Sequence, residues 1–181
     1  MTIEPWLKGD PALTAIGGVF NNPIGQDAED KPDMNFTSHS AVYSVLDHQT
    51  AEMAGNNVVG AALAGAIGPV TLTGAVLNDI GKRAGTKAEG QNSLALVANV
   101  SPSMVPGLDL ELGVVTQEDY DATNNPLSAG NVWDFNASYN WIMVTGGVDY
   151  LVTSDVIDNV YDVWVKGDVG MGVTLGALWW R

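Results

Sequence analysis

The residues of this chain best suited to acid–base chemistry are its two histidines. His48 follows Asp47, and a carboxylate beside an imidazole can orient it for proton transfer. No nucleophile stands at a recognisable spacing from this pair, so a solvated loop pair is the favoured interpretation. His39 and His48 also lack the helical spacing typical of two metal ligands. We therefore assign no catalytic residue and expect that the protein is not an enzyme.

A second candidate for chemistry is an acidic segment around Asp119 and Asp121. Its oxygen-bearing side chains are ligands that Ca²⁺ accepts, and the nearby Asn124 and Asn125 add two more. The spacing differs from that of an EF-hand loop. A solvated acidic loop is the favoured interpretation, with a weak divalent-cation site at Asp119 and Asp121 as the alternative. We expect no cofactor.

Charge and cysteine usage exclude two classes of function. The 181 residues include 21 acidic and 7 basic side chains, giving a formal net charge of -14. Nucleic-acid binding requires a Lys/Arg surface that this chain cannot assemble. Cysteine is absent, so the chain has neither a disulfide framework nor a thiolate metal site.

The segments between the loops, which must position any functional residues, alternate between apolar and polar side chains with a period of two. Leu108, Leu110, Leu112 and Val114 share one parity, and Asp109 and Glu111 take the other. Successive side chains of an extended strand point to opposite faces, so the pattern predicts an amphipathic strand. The same alternation predicts further strands over residues 58–67, 70–76, 94–100, 133–139, 144–152, 161–165 and 171–180. Residues 12–20 and 36–46 are weaker strand candidates.

The connections alternate between short turns and long polar loops. Gly68-Pro69, residues 101–107, a join near Asn140-Trp141 and residues 167–170 are short, whereas residues 47–56, 80–91, 117–130 and 154–159 are long. This regularity indicates an all-β, up-and-down antiparallel fold of about ten strands. We treat residues 1–181 as one domain, with a weakly assigned N-terminal segment, 1–34, and a meander of β-hairpins, 35–181.

Residues 92–118 and 131–154 carry a resemblance to a known class. Each reads as an apolar-out, polar-in strand, a brief turn and a return strand of about ten residues. In this respect the chain resembles Gram-negative outer-membrane β-barrels of the porin class and is similar to porins of the LbtU type. The resemblance implies a transmembrane barrel, or a fragment of a larger one, through which small polar solutes or ions diffuse passively.

The resemblance also implies an environment and partners. The protein would lie in the bacterial outer membrane, with its signal peptide already removed, and would contact the lipid bilayer. Lys82, Arg83 and Lys87 share one long loop and could contact phosphates of lipopolysaccharide, a solvated loop being the alternative. A homo-oligomer is a further expectation.

Strand alternation then divides the side chains of such a barrel between lumen and lipid. The predicted lumen-lining residues are Asp109, Glu111, Asp134, Asn136, Asp149, Asp162 and Lys166. Carboxylates outnumber the single Lys, so an open lumen would modestly prefer cations. The predicted aromatic girdle at the membrane interfaces consists of Trp133, Trp141, Tyr150, Trp179 and Trp180.

Two features of the sequence depart from the porin pattern, so either a strand is miscounted, near residues 12–20, or the chain is part of a larger barrel. The strand count places the C-terminal Trp179-Trp180 at the long-loop side, and the acidic residues 21–33 fall where that count expects a short turn. The alternative hypothesis is a soluble secreted or surface β-sandwich, acting as a structural or assembly subunit, in which the leucine faces of two sheets pack together.

Overall fold

The computed structural model describes residues 2–3, 12–25, 40–45, 57–78, 92–117, 131–153, 159–168 and 174–180. They form one sheet whose strands follow the chain in order. The strands are β1 (Thr2–Ile3), β2 (Ala12–Asn21), β3 (Asn57–Ile67), β4 (Val70–Asn78), β5 (Asn92–Val100), β6 (Leu108–Gln117), β7 (Val132–Trp141), β8 (Val144–Thr153), β9 (Asn159–Asp168) and β10 (Thr174–Trp180).

Every strand pairs antiparallel with its neighbours in sequence, which confirms the all-β, up-and-down prediction. β1 is only two residues long, so nine long strands make up most of the sheet. Within the described residues no pairing joins β10 to β1, and the sheet is therefore not closed. The described strands form a single sheet, so the two-sheet sandwich is wrong for this part of the chain.

One weak strand prediction, residues 36–46, is wrong where the structure describes it. Residues 41–45 form a short helix instead. Ser40 caps this helix, because its Oγ accepts a hydrogen bond of 3.0 Å from the Tyr43 N–H. The Ser40 carbonyl also accepts a 3.1 Å bond from the Ser44 N–H. No helix among the described residues is long and apolar enough to span a membrane.

Because residues 41–45 add no strand to the sheet, the strand count no longer requires a short turn at residues 21–33. β2 pairs directly with β3, from Ala12↔Ala66 to Asn21↔Asn57. The connection between these two strands therefore leaves the sheet at the end where the other long loops lie. β10 still runs towards this long-loop end, as the strand count requires.

The short turns lie at the opposite end of the sheet. Gly68 adopts φ 57 in the two-residue turn between β3 and β4. The join predicted near Asn140-Trp141 lies two residues later, at Ile142-Met143, because β7 and β8 pair as far as Trp141↔Val144. Ile142 has φ 58, which is unusual for a β-branched residue and is imposed by the tight hairpin.

The sheet curves around a core at the long-loop end. One cluster of buried residues takes members from every strand between β3 and β9, including Leu77, Val115 and Val160. Two further members, Ile24 and Val42, come from the connection between β2 and β3 and are 0% exposed. Strands so far apart in the sheet can share one core only if the sheet is strongly curved.

Candidate functional site

Charge is confined to one face of the sheet. The face that carries the core is called the inner face, and the one that carries Leu96, Leu112 and Val163 is the outer face. Every charged residue of the described strands has the parity of the inner face. These residues are Asp109, Glu111, Asp134, Asp149, Asp162, Lys166 and Asp168.

Five polar residues of the inner face form a continuous row across five strands. The register pairs Asn99 with Glu111, Glu111 with Asn136, Asn136 with Asp149, and Asp149 with Asp162. We call this the polar row. Amides alternate with carboxylates over its first four positions, so Asn136 lies between two carboxylates and Asn99 lies beside one. Strand parity identifies four members, but only the register shows that they are direct neighbours and that Asn99 belongs with them.

Glu111 is held by the two amides beside it. The Nδ2 group of Asn99 donates to Glu111 Oε2, and the Nδ2 group of Asn136 donates to Glu111 Oε1 at 3.1 Å. Both carboxylate oxygens therefore have a donor without any basic side chain. Neutral donors do not compensate a negative charge on Glu111, so the field beside it favours cations whenever this carboxyl is ionised.

Asp162, at the other end of the polar row, binds the backbone of the short helix. Its Oδ1 accepts a hydrogen bond of 3.1 Å from the Ala41 N–H, and its Oδ2 accepts one of 2.9 Å from the Val42 N–H. These N–H groups belong to the first turn, where a helix provides no partner of its own. Asp162 is 1% exposed, so it is an anchor for residues 40–45 and not a water-facing residue.

Asp134 holds a second piece of the same connection. Its Oδ2 accepts a 3.0 Å hydrogen bond from the Gly25 N–H. The preceding Ile24 N–H donates to Asn22 Oδ1 at 3.3 Å, which closes a local turn. The Ile24 side chain lies against the backbone of β6, where a Cβ on Gly113 would meet Ile24 Cγ2 at 2.4 Å. We call residues 22–25 and 40–45 the inner segments.

The remaining predicted lumen residues differ in burial. Asp149 and Asn136 are buried within the polar row. Lys166 is partly buried, and its Nζ lies 5.4 Å from the ring centre of Trp164. Asp109 is exposed near the short turns and accepts a hydrogen bond from Ser101 Oγ. All seven predicted residues thus lie on the inner face, but two of them anchor the inner segments.

The outer face is apolar, with aromatic residues concentrated on the last four strands. Trp133, Tyr150 and Trp179 lie exposed in the long-loop half, and Trp141 lies exposed at the short turns. The register adds Phe135 and Tyr161 beside Tyr150, and the Tyr161 and Trp179 rings meet edge to face at 5.4 Å. Trp180 is paired with Asp162 and so has the parity of the inner face, and its side chain lies outside the described part of the chain.

The outer face has a polar boundary that the sequence patterns did not reveal. Asn21, Thr116 and Asn159 are exposed where three strands reach the long-loop end. Between this boundary and the short turns, no outward position of the described strands carries a charge. The boundary could have been found by aligning the strand ends, but that alignment requires the register.

Several predicted sites lie outside the described residues. These are the candidate Ca²⁺ ligands Asp119 and Asp121, the Asp47-His48 pair and the basic residues Lys82, Arg83 and Lys87. Within the part of the chain that the structure describes, no group of three or more His, Asp or Glu residues is arranged to hold a metal ion.

Comparison of the chain with protein-family models, with curated proteins and with solved structures finds no match. The geometry described above therefore carries the functional argument.

Proposed function

We propose that this protein is a porin-like β-barrel of the bacterial outer membrane that lets small polar solutes or ions, preferably cations, diffuse passively. The supporting observation is the one-sided distribution of charge. All charged residues of the described strands have inner parity, and the outer positions between the polar boundary and the short turns are uncharged. A lipid-facing surface requires this arrangement because a charge exposed to hydrocarbon is costly.

The backbone supports the same proposal. Hydrocarbon offers no partner for N–H and C=O groups, and an antiparallel meander satisfies them between consecutive strands, leaving only the two edges of the sheet to be paired by closure. The outer aromatic residues suit membrane interfaces, where an indole or phenol ring has one apolar and one wet side. Trp133 and Trp141 stand at opposite ends of β7. Eight residues of strand span about 27 Å along the strand, and at a tilt of about 40° they cover about 20 Å of the apolar band of an outer-membrane barrel, which is roughly 25 Å tall.

The proposed ion preference follows from the inner face. Six carboxylates share it with Lys166, the only basic residue among those the structure describes. Glu111 accepts hydrogen bonds from two neutral amides, so when it is ionised its charge is not balanced by a basic side chain at these contacts. Fixed negative charge beside a low-dielectric wall raises the local concentration of cations.

In this proposal the described conformation is a closed one. Ile24 and Val42 fill the interior at the long-loop end and are fully buried among residues of seven strands. The proposed partners are the lipid bilayer, lipopolysaccharide and further copies of the chain.

Two experiments test the proposed function. Membrane fractions from expressing cells should release the protein only with detergent, and its migration on a gel should depend on heating. The purified protein in planar bilayers should then give discrete conductance steps, and under a salt gradient the reversal potential should favour cations. A monodisperse protein in plain buffer would contradict the membrane location, and a reversal potential favouring anions would contradict the role of the inner carboxylates.

A further inference from the structure

We infer that Asp134 and Asp162 are positioning residues that hold the inner segments inside the barrel, and that solutes pass only when these contacts break. The inference rests on the proposed function, because it assigns to two predicted lumen residues the control of passage through that lumen. Their carboxylates accept hydrogen bonds from backbone N–H groups of the inner segments, whereas Glu111 in the same interior accepts from side-chain amides.

The contacts of Asp162 require a side chain with two hydrogen-bond acceptors. Both of its oxygens are used, each by one of two consecutive N–H groups, those of Ala41 and Val42. A carboxylate is acceptor-only and matches this pair of donors, whereas an amide of the same shape would turn its NH₂ group towards one of them. The charge of Asp162 is therefore needed for the contact, and its size alone is insufficient.

The two anchors act at separate places on the sheet. Asp134 lies on β7 and binds residue 25, whereas Asp162 lies on β9 and binds residues 41 and 42. The side chains next to these bonds, Ile24 and Val42, are 0% exposed in the core. Anchoring by two carboxylates thus fixes the apolar residues that fill the interior.

The chemistry of the anchors also allows release. The donors in these bonds are backbone N–H groups, so departure of the inner segments leaves no unpaired basic side chain in the interior. The two carboxylates would then face the lumen and join Glu111 and Asp149 in attracting cations. The same residues would serve the closed state as anchors and the open state as part of the cation path.

A disulfide tests whether the inner segments must move. A Cβ on Gly113 would lie 3.3 Å from the Cβ of Ile24, close to the range of about 3.5–4.5 Å seen in disulfides. The chain has no cysteine, so the double variant Ile24→Cys/Gly113→Cys contains only the designed pair. Oxidation should lower the conductance of this variant about tenfold or more, and reduction should restore it.

The matched control is Leu96→Cys/Val114→Cys, which joins two directly paired residues of the outer face. This bond crosslinks β5 to β6 without touching the inner segments, and its oxidation should leave conductance unchanged. If the Ile24–Gly113 disulfide forms and the channel conducts equally well with and without it, the inference is wrong. Failure of this disulfide to form in folded protein would also overturn it.

A labelling experiment tests the anchors without relying on conductance. In a Val42→Cys background, where residue 42 is fully buried and its N–H donates to Asp162, Asp162→Asn should raise the rate of maleimide labelling about tenfold, which corresponds to about 1.4 kcal/mol. Asp109→Asn removes the same charge from the inner face at an exposed position and should leave the rate unchanged. Equal rates in the two variants would overturn the anchoring role. If no form of the folded, inserted protein conducts, the proposed function fails, and the labelling rates still decide the role of Asp162.

Discussion

The backbone N–H of Val42 donates a 2.9 Å hydrogen bond to Oδ2 of Asp162, joining residues 120 positions apart in the chain. Asp162 belongs to β9, the ninth strand of the sheet, whereas Val42 precedes the third. The bond places part of an early connection against a late strand. Strand parity predicts that Asp162 faces water, but residues 40–45 cover it and it is buried.

Packing of the inner segments should contribute measurably to stability. Ile24→Ala removes a fully buried side chain from the core and should lower the free energy of unfolding by about 2–5 kcal/mol. Ile67→Ala is the matched control, because Ile67 is 66% exposed on the outer face and should lose less. Denaturant titrations of the folded protein in detergent micelles measure both. Equal losses would place Ile24 outside the core.

The glycine at position 147 should be required for the packing of Trp164. A Cβ on Gly147 would lie 2.5 Å from a Trp164 ring carbon and 2.9 Å from the Ala137 carbonyl oxygen. Gly147→Ala should therefore cost about 1–3 kcal/mol, as overpacked sites do. At the adjacent Gly146 the closest contact would be 3.4 Å, so Gly146→Ala should cost less. Thermal unfolding followed by circular dichroism compares the two, and a larger loss for Gly146→Ala would contradict this packing.

A charge placed on the outer face should be penalised according to its depth. Leu112 lies midway along β6 and Thr116 lies at the polar boundary, both facing outward. In lipid vesicles, Leu112→Arg should destabilise folding by about 2–4 kcal/mol and Thr116→Arg by at most about 1 kcal/mol. Urea titration of folding into vesicles measures the difference. A protein whose outer face meets water would tolerate both substitutions alike.

Glu111 should contribute to the preference for cations. Glu111→Gln removes a carboxyl that accepts hydrogen bonds from Asn99 and Asn136, and in mildly alkaline buffer, where this carboxyl is ionised, it should shift the reversal potential under a salt gradient towards zero. Asp109→Asn removes an equal charge at the exposed rim, where water screens it, and should produce a smaller shift. A larger shift for Asp109→Asn would move the selective region to the short-turn end.

The alternation of side chains accounts for most of what could be predicted. It identified all nine long strands, because an extended chain that buries one face must carry its apolar residues at every second position. The same parity assigned Asp109, Glu111 and Asp149 to one face and Trp133 and Tyr150 to the other.

The same reasoning failed for residues 41–45, which belong to the weaker strand candidate over residues 36–46 but form a helix. Ser40 can cap a helix as readily as it can face outward from a strand. The helix is favoured here because the N–H groups of its first turn, which have no partner within the helix, donate to the Asp162 carboxylate. In addition, the Val42 side chain packs in the core. Asp162 lies 120 residues away and the core is assembled from seven strands, so no local window contains this information.

The sequence by itself therefore determined the nine long strands, their order and the face that most of their side chains take, because these depend on interactions between near neighbours in the chain. The tertiary structure alone decided which inner residues are direct neighbours and which carboxylates hold the inner segments. Those relations depend on the register of separate strands and on contacts between distant residues, which sequence periodicity does not encode.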